Sequence, residues 1–146
     1  IMHEVNLLAV LVAGIVPMII GALWYGPLFG KRWLDLMETT AEEIQDGFNP
    51  LKTYGASFVL ALITAFILAQ LFAGMGGAAG VLSIAGKGGD ALAGVYLALL
   101  ALIAFILPVG YQSVAFEGRK AGLFWLNFGH NGVALLAQAV IIAVWS

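Results

Sequence analysis

Four long apolar runs, at about 5–26, 53–74, 91–114 and 122–145, are separated by three polar or glycine-rich segments. Crossing about 30 Å of hydrocarbon takes roughly 20 helical residues at about 1.5 Å each, and every run is long enough. Leu, Ala and Ile dominate the runs, and no Asp, Glu, Lys or Arg lies near any centre. Backbone groups in lipid must pair within their own segment, so the runs are predicted to be helices rather than strands. The expected fold class is an all-α membrane protein. It forms one integral membrane domain over residues 1–146, with four transmembrane helices in an antiparallel bundle. His3 and Glu4 precede the first run where a secretory leader would carry basic residues, and the run is too long for a leader. It is read as a retained helix.

The segments between the runs set the boundaries. Residues 21–33, GALWYGPLFGKRW, close the first helix. Trp24 and Tyr25 suit a membrane–water interface, Pro27 with Gly26 and Gly30 stops the helix, and Lys31 and Arg32 add positive charge. Trp24, Tyr25, Lys31, Arg32 and Trp33 are therefore expected to be interface anchors. In the connector 31–52, Thr40 and Glu43 fit a capping box for a short helix from about 41 to 46. Trp33, Leu34, Leu36 and Met37 predict a one- or two-turn element in the interface, with Asp35, Glu38, Glu42, Glu43 and Asp46 facing water. The outer loop 74–90 is rich in glycine but is not a phosphate loop. Five residues separate Gly80 from Gly86-Lys87 where four are needed, and Gly88 stands where the motif has Ser or Thr.

Charge gives direction. Lys31, Arg32 and Lys52 lie between the first two helices and Arg119 and Lys120 between the last two, against Lys87 alone on the other side. By the positive-inside rule both basic loops are expected in the cytoplasm and both termini outside, in a multi-pass protein of the bacterial inner membrane. Composition agrees: 62% of residues are hydrophobic and only 10% charged, where globular chains carry about 45–50% and about 25%. Mean hydropathy is +1.03. A net charge of −2 with six Lys and Arg leaves no basic stripe for nucleic acid. The absence of cysteine removes disulfides and thiolate chemistry.

Helix association in lipid depends on small residues that admit close approach. The second helix repeats Ser57, Ala61, Ala65, Ala69 and Ala73 at every fourth position, and the first offers Ala9, Ala13, Gly14 and Gly21. Pro17 and Pro108 each remove one backbone hydrogen bond and free a carbonyl. Polar side chains concentrate on the fourth helix. At 100° per residue Asn127, Asn131 and Gln138 fall within about 40° of one another, with His130 about 60° from Asn127. They are expected to face the bundle interior and to bond to partners such as Asn6, Trp24, Thr64, Tyr96 or Gln112. Two readings stay open: interhelical hydrogen bonds, or a polar binding site or permeation path with His130 as the group that titrates near neutral pH. His3 and His130 alone do not make a metal site, and no nucleophile has a neighbouring base. No catalytic residue, metal or cofactor is expected.

GALWYGPLFGKRW, with HEVNLLAVLVA before it, resembles the domain of unknown function 1761 family of small bacterial integral membrane proteins. The likeness continues in YGASFVLALITAFILA at 54–69, FEGR at 116–119 and LNFGHNGVALLAQAVIIAVW at 126–145. The glycine-rich 74–90 loop departs from it. The resemblance implies a compact four-helix inner-membrane protein and carries over no functional residue. The expected function is structural or accessory: a four-helix protein that binds lipid or a partner membrane subunit and forms a homodimer. The alternative is a small-solute or ion transporter or channel that uses the polar stripe of the fourth helix.

Overall fold

The computed structural model describes residues 3–77 and 89–145, and within them every regular element is helical. In chain order the helices are α1 (Leu7–Leu23), α2 (Gly30–Met37), α3 (Ala41–Gln45), α4 (Pro50–Gly74), α5 (Gly89–Ala101), α6 (Leu107–Ala115) and α7 (Ala121–Val144). A wider π-helical turn at Trp24–Leu28 extends α1, and another at Leu102–Ile106 joins α5 to α6. Four stretches are long and apolar enough to cross a bilayer: Leu7–Leu28, Pro50–Gly74, Asp90–Ala115 and Ala121–Val144. Most of the glycine-rich segment 74–90 lies outside the described residues.

Local chemistry explains the helix starts. Asn6 Oδ1 accepts from the N–H groups of Leu8 and Ala9 at 3.1 and 3.2 Å, which satisfies two orphan donors of α1. Asn49 Oδ1 caps α4 through Lys52 N–H at 3.1 Å, with Pro50 in the first turn. Thr40 Oγ1 accepts from Glu43 N–H at 3.2 Å, as the capping box requires. The box is only half closed, because the Glu43 carboxylate accepts from the Thr39 hydroxyl at 2.8 Å instead. Glu38, at φ 57°, ends α2 in the left-handed conformation.

Contacts at the two ends of the bundle fix its sense. At one end Asn6 Nδ2 donates to the Trp145 carbonyl at 2.8 Å. There too Gln70 pairs with the His3 backbone in both directions, at 2.7 and 2.8 Å. Both termini therefore share that end. At the other, Leu36 of α2 packs over Gly122 of α7, and Lys120 Nζ lies 2.9 Å from a Glu38 carboxylate oxygen. The hydrogen bond and charge of Lys120 hold the Glu38 carboxyl below the usual carboxylate range. This exposed pair helps the fold above the ordinary carboxylate pKa and stops helping as pH falls through the lowered value.

The four spans do not form a square. α7 packs against α1, α4 and α5, and α1 also packs against α4. The result is a triangle of α1, α4 and α7, with α5–α6 laid along the far side of α7. The buried core is made mostly of alanine: Ala9, Ala13, Ala65, Ala69, Ala93, Ala98, Ala139 and Ala143, none more than 5% exposed. On α4 the small-residue repeat is buried at Ala65 and Ala69, half-buried at Ala61 and Ala73, and exposed at Ser57. Larger apolar residues such as Leu7, Leu60, Ile103 and Phe105 point outward, as a hydrocarbon solvent requires. α5 and α7 approach closely at Gly94, where a Cβ would lie 2.7 Å from the Ala139 carbonyl oxygen.

One buried polar side chain joins the triangle. Pro17 has no N–H to give to the Ala13 carbonyl four residues back. Gln138 Nε2, on α7, donates to that carbonyl at 3.0 Å and to the Ala61 carbonyl of α4 at 3.1 Å. Gln138 is 4% exposed. Its carboxamide thus occupies the junction of three helices and partners a carbonyl that its own helix cannot.

Two glycines separate packing from propensity. Gly94→Ala is expected to destabilise the protein by about 1–3 kcal/mol, because the added methyl meets backbone. Gly55→Ala, with nothing within 4 Å of the new Cβ, is expected to gain up to about 1 kcal/mol. Denaturant titration in mixed micelles measures both; a Gly94→Ala protein as stable as wild type would contradict the close crossing.

Candidate functional site

The candidate polar residues of α7 do not gather at one place. Asn127 and His130 lie against the end of α1, Asn131 faces outward, and Gln138 is the junction residue described above. The first group is the richest chemically, and the segment 21–33 builds it.

Within that segment the helix does not simply stop at Pro27. It widens by one residue into the turn Trp24–Leu28, so that Phe29 N–H reaches back five residues to the Trp24 carbonyl at 2.8 Å. The departure from helical geometry falls on Gly26, at φ −109° and ψ −105°. Trp24, at φ −66° and ψ −50° with its N–H still on the Ile20 carbonyl, precedes this break, and Trp24 and Tyr25 reach α7 in the phase of α1 itself. Trp24 Nε1 donates to the Leu126 carbonyl at 3.1 Å. Tyr25 Oη donates to Asn127 Oδ1 at 2.7 Å.

The His130 ring completes the group, 5.1 Å from the Tyr25 ring and 6.3 Å from that of Trp24. Phe29 packs on Trp24 at 4.6 Å, and the Trp33 edge meets Tyr25 at 5.4 Å. A glycine on each helix makes room for the other's ring. A Cβ on Gly129 of α7 would lie 2.9 Å from the Trp24 indole, and one on Gly21 of α1 would lie 3.3 Å from His130 Nε2. That nitrogen is buried and has no hydrogen-bond partner, a condition that costs about 1–3 kcal/mol. The packing leaves the imidazole enclosed by rings and glycine.

Of the expected anchors, Lys31 and Arg32 are exposed and Trp33 is half-buried. Trp24 and Tyr25 do more than anchor, because they hold α7 by two hydrogen bonds. Among the expected partners of the stripe, Trp24 reaches α7 but bonds to backbone. Asn6 caps α1, and Thr64 bonds to the Leu60 carbonyl of its own helix at 3.1 Å. Tyr25 as the partner of Asn127 was not foreseen, since its place beside Trp24 reads as an interface signal. Among the described residues no three His, Asp or Glu side chains gather into a metal-ligand set.

Asn131 is exposed and lies with Asn127 on a groove between α6 and α7, of about 490 Å³. Phe105, Val109 and Phe128 form its apolar walls, and Arg119 stands at its mouth. The sequence pointed to the two asparagines but not to this groove, which depends on how the last two helices splay.

Removing the Tyr25 hydroxyl tests the first group. Tyr25→Phe leaves Asn127 Oδ1 without its donor and is expected to destabilise by about 0.5–1.5 kcal/mol in a micellar unfolding titration. Tyr25→Phe in an Asn127→Leu background is expected to have little further effect. An equal loss in both backgrounds would rule out the pairing.

Comparison with known proteins gives a family and no activity. No curated protein and no solved structure matches the chain. Residues 8–143 match the family described as Protein of unknown function (DUF1761). That match covers nearly all of a chain with four helices able to cross a bilayer, and the protein belongs to the DUF1761 family.

Proposed function

We infer that this chain is a non-catalytic accessory protein of the bacterial inner membrane, which acts by binding another membrane component. Its basic loops lie in the cytoplasm and both termini lie outside. The observation that carries this reading is how the intramembrane polar groups are used. Asn127 accepts from Tyr25, and Gln138 donates to two helix carbonyls. A solute path along this stripe would have to break those bonds at each step. Asn131 is instead exposed beside the groove, with one side-chain hydrogen bond shared with the neighbouring His130. Hydrocarbon offers nothing to its remaining polar capacity, so the face favours association with something polar enough to meet it. A second copy of this chain, another membrane subunit and a lipid are the classes that fit.

Two measurements test the reading together. Purified protein in proteoliposomes is expected to pass ions and protons no faster than empty liposomes. Native mass spectrometry from mild detergent is expected to show a bound component whose occupancy falls about fivefold or more in Asn131→Leu, for a loss of about 1 kcal/mol. Specific flux that depends on His130 would overturn the reading in favour of transport.

A further inference from the structure

His130 puts an ionisable ring inside the contact between α1 and α7, and its two nitrogens have different surroundings. One shares a hydrogen bond with the side chain of the exposed Asn131. The other, Nε2, is buried with no partner and faces Gly21, whose missing side chain leaves room for the ring. Trp24 and Tyr25 lie against the same imidazole, with ring centroids 6.3 and 5.1 Å away. A neutral imidazole suits this place. With its hydrogen on the nitrogen beside Asn131, the ring has no second donor to satisfy.

A second proton changes the requirement. Both nitrogens of an imidazolium are donors, and the new N–H meets glycine and aromatic rings. The backbone offers it nothing, because the Ile20 and Gly21 carbonyls already accept from the Trp24 N–H. Ring faces attract a cation, but they replace only part of the hydration that burial removes. No opposite charge stands near. Residues 5–30, 53–74, 91–114 and 121–144 contain no Asp, Glu, Lys or Arg. Lys31, Arg32 and Asp35 of α2, Lys52 of α4, and Arg119 and Lys120 before α7 are all exposed. Of the tyrosines, Tyr25 faces the ring and gives its hydroxyl to Asn127, while Tyr96 of α5 and Tyr111 of α6 are exposed.

We propose that this contact is an acid-sensitive latch: a proton taken up at His130 Nε2 parts the end of α1 from α7 and frees segment 21–33. Closed, the latch holds Trp24 on the Leu126 carbonyl and Tyr25 on Asn127. Opening lets water reach the imidazolium and gives up both bonds. Gln138 lies eight residues further along α7, about 12 Å away at about 1.5 Å per residue. The triangle of helices therefore stays joined while its loop end lets go. α2 follows directly on the freed segment, so acid on that side of the membrane reshapes the surface there. The closed form leaves Nε2 unprotonated and the open form takes one proton. The opening equilibrium thus gains up to about tenfold for each pH unit below the ordinary imidazole value of about 6.5.

Hydrogen exchange of the full chain in lipid nanodiscs, read by mass spectrometry and corrected for the intrinsic pH dependence of amide exchange, measures the opening. Protection over residues 23–33 is expected to fall about tenfold between about pH 6.5 and about pH 5.5, while that of α4 around Ala65 and Ala69 holds. Glu38, held below the usual carboxylate range by Lys120, keeps its charge over this interval, so that ion pair does not contribute. His130→Gln stays polar but cannot take the proton, and its protection should not change with pH. Circular dichroism checks that it keeps wild-type helix content, and His130→Asn replaces it if it does not. Constant protection in the wild-type chain, or the same tenfold fall in the variant, would overturn the latch.

Discussion

A bilayer gives no hydrogen-bond partner to a carbonyl that its own helix has left unpaired, and Pro17 leaves one at Ala13. The protein meets this constraint with a side chain from another helix. Gln138 donates to the Ala13 carbonyl and, with its second hydrogen, to the Ala61 carbonyl. The same carboxamide is thus fixed at both of its N–H groups, and α1, α4 and α7 are held at one depth and in one rotational setting. The alanine core on the terminal side of this point packs as closely as it does because the register is set. A leucine-sized shift of any of the three helices would separate Ala13, Ala65 and Ala139, all at most 2% exposed.

α7 carries a second fixed point about 16 Å away along its axis, taking eleven residues from Gln138 back to Asn127 at about 1.5 Å each. There the contact with α1 is aromatic and reciprocal, an indole over Gly129 and an imidazole over Gly21. The two points sit in opposite halves of the bundle and both join α1 to α7. Two tethers on one helix pair resist both sliding and rotation. α5 and α6, attached along the other side of α7, carry no comparable polar tie to α1 or α4 among the described residues. That asymmetry leaves the outward groove on the less constrained side of α7.

Much of this was legible in the sequence. The four spans, the Thr40 start, the small-residue seam of α4 and the water-facing acids of the connector follow from periodicity and capping chemistry, whereas α4 begins at Pro50 under an Asn49 cap, three residues before the expected 53. The helical wheel put Asn127, Asn131 and Gln138 on one side of α7, but the expectation that all three face the bundle interior fails at Asn131, which is exposed. The wheel could not show that this one face meets different neighbours at different depths: Tyr25 at Asn127, the groove at Asn131, two carbonyls at Gln138. Pro17 announced a free carbonyl and Gln138 an unmet donor, but their pairing needs the crossing of the helices. Tyr25 was hidden for another reason. Beside Trp24 at the end of an apolar run it reads as an interface signal, and only the crossing of α1 and α7 puts its hydroxyl on Asn127.

The pairing of Pro17 with Gln138 is the central claim, and a double-mutant cycle measures it most directly. Gln138→Leu in the wild-type background strands the Ala13 carbonyl. In a Pro17→Ala background, residue 17 regains an N–H and α1 can satisfy that carbonyl itself. Unfolding free energies of the four proteins in mixed micelles should give a coupling of about 0.6 kcal/mol, up to about 1.7, with Gln138→Leu less damaging when Pro17 is absent. Strictly additive losses would show that Gln138 does not answer the carbonyl freed by Pro17, and would contradict the account.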